Sequence, residues 1–238
     1  KFEGGITLIH VKNVTKKYQM GEIEIKALDN VSFEIEKGEL TVILGPSGAG
    51  KTTILNILGG MDTATSGSVI IDGVDISKYN NRKLTDYRRY DIGFVFQFYN
   101  LIGNLTAFEN VSLASQICKK PMDSEEALKR VGLLNRKDHF PAQLSGGEQQ
   151  RVSIARAIAK NPKILLCDEP TGALDSKTGK KIIELLQDTC HKTNTTTIII
   201  THNAVIAEIA DKVIRVKNGK IESITKNDHP KHVKEIDW

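Results

Sequence analysis

One glycine-rich octapeptide limits the possible folds of this 238-residue chain more than any other feature. It follows the apolar run Leu40–Leu44 and precedes Thr52–Leu58, a stretch with helical character, so the order strand, loop, helix is predicted. Its spacing matches Gly-x-x-x-x-Gly-Lys-Ser/Thr at every fixed position. The eight residues are Gly45, Pro46, Ser47, Gly48, Ala49, Gly50, Lys51 and Thr52.

The residue types in this loop suit the binding of phosphate. Glycines let the backbone curl so that successive N–H groups point at phosphate oxygens, where a side chain would collide. Lys51 supplies a mobile charge for the β- and γ-phosphates, and the Thr52 hydroxyl is a ligand for Mg²⁺. The helix that follows adds its positive dipole end. The loop therefore predicts a site for a nucleoside triphosphate with Mg²⁺, and Thr53 is included among its expected contacts.

Two carboxylates follow a second apolar run, Ile164–Cys167. The carboxyl end of a buried parallel strand is where open α/β sheets bind ligands. We expect Asp168 to hold Mg²⁺ and Glu169 to orient and deprotonate an attacking water. An apolar strand with Asp-Glu is by itself equally compatible with a surface turn. Beside the phosphate loop it predicts the second half of a nucleotide site.

The segment Leu144–Glu148 precedes a helix that is predicted to run to Ala159. Ser145 followed three residues later by Glu148 is the pattern of a capping box, which is the simpler interpretation. The paired glycines Gly146 and Gly147 exceed what a cap requires. They expose several amides at a positive helix end, which favours a second anion site.

The remaining pattern indicates an α/β protein with a largely parallel sheet covered by helices. Asn218-Gly219 between alternating apolar residues indicates a two-residue hairpin within Lys212–Ile221. Nothing between about residues 100 and 159 resembles a strand, so this region is predicted to form a smaller helical lobe. Residues 226–238 are polar and expected to be poorly ordered. The other predicted strands are Ile6–Val11, Asn30–Ile35, Ile92–Phe96 and Thr196–Thr201, and the lobe helices are Ser124–Leu134 and Glu148–Ala159.

Composition excludes several classes of protein. The net charge of +4 is spread along the chain and gives little support for a nucleic-acid partner. No apolar run approaches the roughly 20 residues of a membrane helix. The N-terminal residues 1–5 contain no apolar core of a signal peptide. The three cysteines are widely spaced, which argues against a disulfide framework or zinc site and favours a reducing cytosol.

Three segments together resemble the motifs of ATP-binding cassette (ABC) ATPases. They are the Leu144–Glu148 segment, the phosphate loop before it and the Asp-Glu strand after it. The resemblance implies a P-loop NTPase core with a mostly parallel sheet, an N-terminal antiparallel β subdomain and an inserted α-helical subdomain. The resemblance also implies how the chain is divided. Residues 6–97 and 160–224 would form the core with the β subdomain, residues 98–159 the helical subdomain, and residues 225–238 the polar tail. ATP and Mg²⁺ are the implied ligands.

The same resemblance implies further site residues and a homodimer that forms around two ATP molecules. Ser145, Gly146 and Gly147 would contact the γ-phosphate held by the other subunit. Other implied roles fall to residues outside the three motifs. These are Tyr18 stacking on adenine, Gln97 contacting Mg²⁺ and the lytic water, Asp175 bridging the two sites, and His202 contacting the γ-phosphate.

The segments Phe94–Gln97 and Asp168–Ser176 resemble the lipoprotein-release, macrolide-exporter and antimicrobial-peptide-resistance branch. That branch implies an ATPase at the cytoplasmic face of the membrane, which drives a separate integral membrane permease. The permease would dock on the helical subdomain and the Gln97 loop. Clustered aromatic residues support such a docking groove independently. Those expected in the groove are Phe98, Tyr99 and Phe108.

Three alternatives remain open at this point. A DNA-repair or chromosome-organising head needs a long coiled-coil arm or a zinc module, and none fits in this chain. A small-molecule kinase would not need Leu144–Glu148. A cassette that regulates cell-wall hydrolases through a permease-like partner would share all of this chemistry.

Overall fold

The computed structural model describes residues 6–237; the expectation about residues 1–5, and Trp238 of the tail, lie outside the described residues. The described part contains ten strands and six α-helices. The strands are β1 Thr7–Met20, β2 Ile23–Glu36, β3 Leu40–Leu44, β4 Ser66–Ile71, β5 Val74–Asp75, β6 Ile92–Val95, β7 Ile164–Asp168, β8 Thr196–Thr201, β9 Lys212–Lys217 and β10 Lys220–Lys226. The helices are α1 Lys51–Leu58, α2 Asn81–Tyr90, α3 Ala107–Gln116, α4 Ser124–Arg130, α5 Gly146–Ala159 and α6 Ser176–Thr193.

A six-stranded sheet in the order β10-β9-β3-β8-β7-β6 forms the centre of the molecule. All neighbouring strands in it are parallel except β10, which pairs antiparallel with β9. The register places Leu44 beside Thr201 and Asp168 beside Ile200. The carboxyl ends of β3, β8 and β7 therefore meet at one edge, and the loops that follow them share that edge.

A second sheet, in the order β2-β1-β4-β5, is antiparallel throughout. With the parallel sheet, this confirms the predicted fold class. β1 and β2 are longer than predicted, and their distal halves, near Met20 and Ile23, are largely exposed. The end of β1 carries no apolar alternation, whereas Ile23 and Ile25 of β2 alternate with charged residues, a strand signal that the sequence analysis missed. These halves are held by pairing with each other.

Helix α1 lies in the core between the two sheets. Its buried residues Ile54, Leu55 and Leu58 belong to one apolar cluster with residues of both sheets, such as Ile9 and Ile43. The opposite face of the parallel sheet is covered by α5 and α6, within a second cluster. Because α1 is packed on both sides, the phosphate loop at its N-terminus is attached to a rigid element.

No strand lies between β6 and β7 in the described chain, as predicted, and α3, α4 and α5 fill the interval. Helix α4 ends earlier than expected, at Arg130. Gly132 has φ 71°, a left-handed conformation that ends helices and is accessible to glycine at little cost. The division at residues 98 and 159 stays a prediction.

The expectation that the tail is poorly ordered is wrong for its described residues. Val233 and Ile236 are buried in the cluster that contains α6. The Val233 N–H donates to Gln187 Oε1 at 3.0 Å, and Gln187 Nε2 donates to the Lys231 carbonyl at 2.9 Å. Two apolar residues three apart are enough to dock a short polar segment when a buried glutamine satisfies its backbone.

Across residues 6–237, the helices are too short or too polar to cross a bilayer. Cys118, Cys167 and Cys190 are all free thiols. Burial raises the pKa of the Cys190 thiol to about 11, so this thiol stays protonated at neutral pH.

Candidate active site

The phosphate loop joins β3 to α1 and has backbone neighbours on two sides. A Cβ at Gly45 would lie 2.2 Å from the Val216 carbonyl oxygen, and one at Gly50 would lie 2.7 Å from the Ala27 carbonyl oxygen. Gly50 also has φ 101°, in a region that side chains rarely adopt. Close approach therefore requires glycine at both positions, and backbone conformation requires it at Gly50 as well.

Lys51 is nearly buried, and its ammonium is held by the loop itself. Nζ donates to the Gly45 carbonyl at 2.7 Å and to the Pro46 carbonyl at 2.9 Å. An ammonium has three donors, so one N–H remains to be directed at a ligand. The charge is thereby fixed at the loop before any ligand contributes.

Thr52, at the start of α1, and Asp168, at the end of β7, meet at the same edge. The Thr52 hydroxyl donates to Asp168 Oδ2 at 3.4 Å. Burial, together with the neighbouring charge of Glu169, raises the pKa of Asp168. A hydroxyl and a carboxylate oxygen are hard donors of the kind that Mg²⁺ prefers, and a bound cation would relieve the cost of this buried charge. The residues present fit Mg²⁺.

Glu169 is fixed by its backbone and its side chain together. It has φ 45°, a left-handed conformation that is uncommon outside glycine, and its N–H donates to the Ile200 carbonyl at 2.9 Å. Its Oε1 lies 2.9 Å from Nδ1 of His202, the first residue after β8. The carboxylate is mostly shielded, with 17% exposure, whereas the imidazole is 66% exposed. Two neighbouring strands thus bring these residues together.

Gln97 follows β6 and reaches the same edge. A Cβ at Gly172 would lie 2.9 Å from Gln97 Nε2, so the glutamine side chain packs directly on this glycine. Gly172 in turn donates its N–H to the Glu169 carbonyl at 3.0 Å. The Gln97 side chain therefore rests on the turn that follows Glu169.

These residues line a cleft of about 620 Å³. Ser47, Gly48, Gly50, Lys51, Thr52 and Thr53 of the loop and helix face it, with Gln97, Asp168 and Glu169. The sequence analysis missed five further lining residues. These are Ile25, Lys26 and Ala27 of β2, and Asn218 and Gly219 of the β9–β10 hairpin.

The hairpin belongs to the site because it supports the loop from behind. The Gly219 N–H donates to the Ala49 carbonyl at 3.0 Å, and the Gly219 carbonyl accepts from the Asp29 N–H at 2.8 Å. The Asn218-Gly219 signal was recognised as a turn, but only the sheet order shows that this turn lies beside the loop. For Ile25 to Ala27 the sequence carries no turn signal, and nothing in it places these residues beside the loop.

Tyr18 lies beside the cleft, next to the start of α1. Its hydroxyl donates to Asp62 Oδ2 at 2.7 Å, and the Lys16 ammonium lies 4.8 Å from the ring centroid. Burial and the bond to Asp62 raise the pKa of Tyr18, while the nearby Thr53 side chain acts in the opposite direction. One ring face is therefore covered by a cation.

Ser145, Gly146, Gly147 and Asp175 do not line this cleft. Ser145 caps α5 in a capping box with Glu148, and the hydrogen bonds from Ser145 lower the pKa of Glu148. Asp175 caps α6 by accepting from the Thr178 N–H at 3.0 Å. A Cβ at Gly147 would lie 2.3 Å from Thr178 Cγ2, so the two helix N-termini are in close contact. The structure thus separates these four residues from the phosphate loop of their own chain.

Comparison with known proteins agrees with this architecture. A family model described as ABC transporter matches residues 28–172. An uncharacterized ABC transporter ATP-binding protein of Thermotoga maritima is 45% identical over 222 residues, which cover 91% of this chain and 94% of that protein. The macrolide export ATP-binding/permease protein MacB of Mannheimia succiniciproducens is 43% identical over 230 residues, 94% of this chain but 36% of MacB.

A solved structure gives the same result. It is the dimeric, post-hydrolysis state of the ATP-binding cassette MJ0796 bound to ADP and Pi. MJ0796 is a protein of Methanocaldococcus jannaschii. It matches with a TM-score of 0.84 at 46% identity, over 92% of this chain and 98% of that chain. The chain described here therefore belongs to the ATP-binding subunits of the ABC transporter family, which are ATPases that use ATP with Mg²⁺.

Proposed function

We propose that the cleft between the phosphate loop and Glu169 is the ATPase site and that Glu169 is its general base. One observation carries this assignment: Glu169 Oε1 is hydrogen-bonded to His202 Nδ1 at the same edge of the parallel sheet where Lys51 and Asp168 lie. A carboxylate held in this way can accept a proton from a water that attacks the γ-phosphate.

The loop binds the phosphates through its N–H groups and the free N–H of Lys51. Held by Thr52, Asp168 and Gln97, Mg²⁺ would supply charge neutralisation at the β- and γ-oxygens. Gln97 and His202 orient the water and the γ-phosphate from opposite sides of Glu169. The remaining work is positioning and electrostatic stabilisation, since phosphoryl transfer requires little covalent chemistry from the protein.

The proposed site is completed by a second copy of the chain. Ser145, Gly146 and Gly147 form a glycine-rich helix N-terminus that their own cleft does not use. In a homodimer this terminus would contact the γ-phosphate bound by the other subunit, and Asp175 would bridge the two sites. The dimeric form of the MJ0796 cassette supports this arrangement. Tyr18 would stack its other ring face on adenine.

We further propose that residues 98–159 and the Gln97 loop dock an exporter-type permease at the cytoplasmic face of the membrane. Phe98 is 73% exposed, and Leu113 of α3 and Ile117, which directly follows α3, are about half exposed. Phe108, expected in the groove, packs instead against the core, and Tyr99 is half-buried. The similarity to MacB, a macrolide export protein, supports export as the function, and we propose a lipoprotein, peptide or drug-like substrate.

Substitution of the base tests the site. Glu169→Gln should leave ATP binding intact while nearly stopping hydrolysis, so that an ATP-bound dimer becomes visible by size-exclusion chromatography. Glu222→Gln serves as the control because Glu222 is an exposed residue of β10 with only a loose partner in Lys217. A Glu169→Gln variant that hydrolyses ATP at the wild-type rate would remove Glu169 from the role of base.

Co-purification tests the partner. Retention of a membrane permease with the chain, lost on Phe98→Asp, supports the proposed docking surface. The extracellular part of that permease would then show whether the complex exports a substrate or controls cell-wall hydrolases. Retention that is unaffected by Phe98→Asp contradicts docking at this surface.

A further inference from the structure

Gln150 is fully buried in α5 and connects two loops of the proposed site. Its Nε2 donates to the Phe96 carbonyl at 3.2 Å and to the Pro170 carbonyl at 2.8 Å. Phe96 directly precedes Gln97, and Pro170 directly follows Glu169. A single amide group therefore holds the backbones of both loops at a fixed separation.

The orientation of this amide is determined by its partners. Both N–H donors of Nε2 point at carbonyl oxygens, so exchanging Nε2 and Oε1 would set oxygen against oxygen. Oε1 is itself buried and has no hydrogen-bond donor within residues 6–237. An unsatisfied buried oxygen costs free energy. An apolar side chain of the same length would avoid that cost but would withdraw the donor from the Phe96 and Pro170 carbonyls, so what the glutamine adds is the bond to these two carbonyls.

A second residue of α5 holds the far side of the Gln97 loop. Arg156 donates to the carbonyl of Tyr99 at 2.9 Å and to that of Asn100 at 2.6 Å. Helix α5 thus grips the loop on both sides of Gln97. The link from Gln150 to Pro170 extends this grip to the segment that carries Glu169.

We propose that Gln150 is a positioning residue for ATP hydrolysis: it sets the distance between the Gln97 and Glu169 loops and ties both to the helix that begins after Ser145. The inference rests on the roles proposed above for Glu169 and Gln97. Ser145 lies five residues before Gln150 on the same rigid helix. Contact between a second copy and Ser145 is therefore transmitted to the base through Gln150.

Replacing the amide without changing its length gives the direct test. Gln150→Met should lower kcat for ATP roughly ten- to a hundredfold, the range expected for a displaced catalytic group. KM for ATP should change by less than about twofold, because the phosphate loop is untouched. The matched control is Gln187→Met, which removes another buried glutamine with two backbone partners, in α6.

The control should keep the wild-type kcat even where its melting temperature falls. Wild-type kcat in Gln150→Met overturns the inference, and so does an equal loss of kcat in both glutamine variants. A Gln150→Met protein that fails to melt cooperatively, while Gln187→Met folds, would show a purely structural role and also overturn it.

A double variant separates this inference from the proposed function. In single-turnover reactions, Gln150→Met should add little to the loss caused by Glu169→Gln, since it acts through Glu169. Losses that multiply in the double variant contradict that route. Wild-type hydrolysis by Glu169→Gln alone refutes the proposed base, whatever Gln150→Met does.

Discussion

His202 Nδ1 and Glu169 Oε1 lie 2.9 Å apart and join the loops that follow two adjacent parallel strands. Because a carboxylate oxygen can only accept, Nδ1 must carry the proton of this hydrogen bond. Nε2 is then free to act towards a ligand in the cleft. This bond holds the proposed base, and the second ring nitrogen is left for the proposed contact of His202 with the γ-phosphate.

Removal of the imidazole tests both tasks. We expect His202→Ala to lower kcat roughly a hundredfold or more, the low end of what an acid–base partner contributes. ATP binding, measured by titration with a fluorescent analogue, should change little because the loop contacts remain. His229→Ala, a matched change at an exposed tail residue, should match the wild type. Loss of binding with unchanged kcat would contradict the proposed role.

Asp168 should oppose stability while supporting activity. Burial and then Glu169 raise its pKa, so between the ordinary pKa and the raised one the native state holds a proton that the unfolded state has released. Stability from this group is therefore lost as pH rises through that window, and the ionised form costs stability at neutral pH.

Asp168→Asn should raise the free energy of unfolding without nucleotide by about 0.5–2 kcal/mol and abolish Mg²⁺-dependent hydrolysis. Thermal unfolding with and without Mg-ATP checks this, since the wild type should gain more from the ligand. A lower melting temperature in ligand-free Asp168→Asn would show that burial of this charge is not costly.

Gly50→Ala should be damaging through both backbone strain and collision. With φ 101° and the Ala27 oxygen 2.7 Å from the added carbon, we expect a loss of about 2–4 kcal/mol and weaker ATP binding. Gly21→Ala is the control, because Gly21 has φ 64° but no atom within 4 Å of the added carbon. That variant should lose about 1 kcal/mol and bind ATP normally. Equal losses measured by urea unfolding would mean that the contact with β2 is unimportant.

The docked tail should contribute to stability. Ile236→Ala removes a buried side chain, so we expect a loss of about 2 kcal/mol or more. Lys234→Ala breaks an exposed pair with Glu184 at 3.0 Å, which should change the free energy of unfolding little because solvent screens the pair. Chemical denaturation of the two variants compares them, and equal midpoints would indicate that the tail does not pack on α6 in solution.

The parallel core could be predicted because its strands are short, apolar and interrupted by clear turn signals. β3 and β8 have the predicted bounds. The antiparallel sheet was predicted as a whole only through the family resemblance: the exposed end of β1 follows no hydrophobic period, and the alternation at the start of β2 was not recognised as part of a strand. Docking of Val233 and Ile236 depends on a groove formed by distant residues, which no local pattern reports.

The site was predictable where chemistry depends on neighbours in sequence, as in the Gly45–Thr52 loop. Residues that meet only through the sheet order were harder to find. Gln150 follows the recognised Leu144–Glu148 segment by two residues, yet its two partners are 54 and 20 residues away. Gly219 was recognised as part of a turn, but its bond to Ala49 follows from the adjacency of β9 and β3.

Gly219 also accepts a hydrogen bond from Asp29, so a single residue contacts the phosphate loop through its N–H and the antiparallel sheet through its carbonyl. A ligand that tightens the loop therefore stabilises the contact between the two layers, and its binding free energy is added once, to the folded state of both layers together. We therefore expect ATP to stabilise both sheets as one cooperative unit. Spectroscopic probes placed in either sheet should report one common shift of the melting transition when ATP is present.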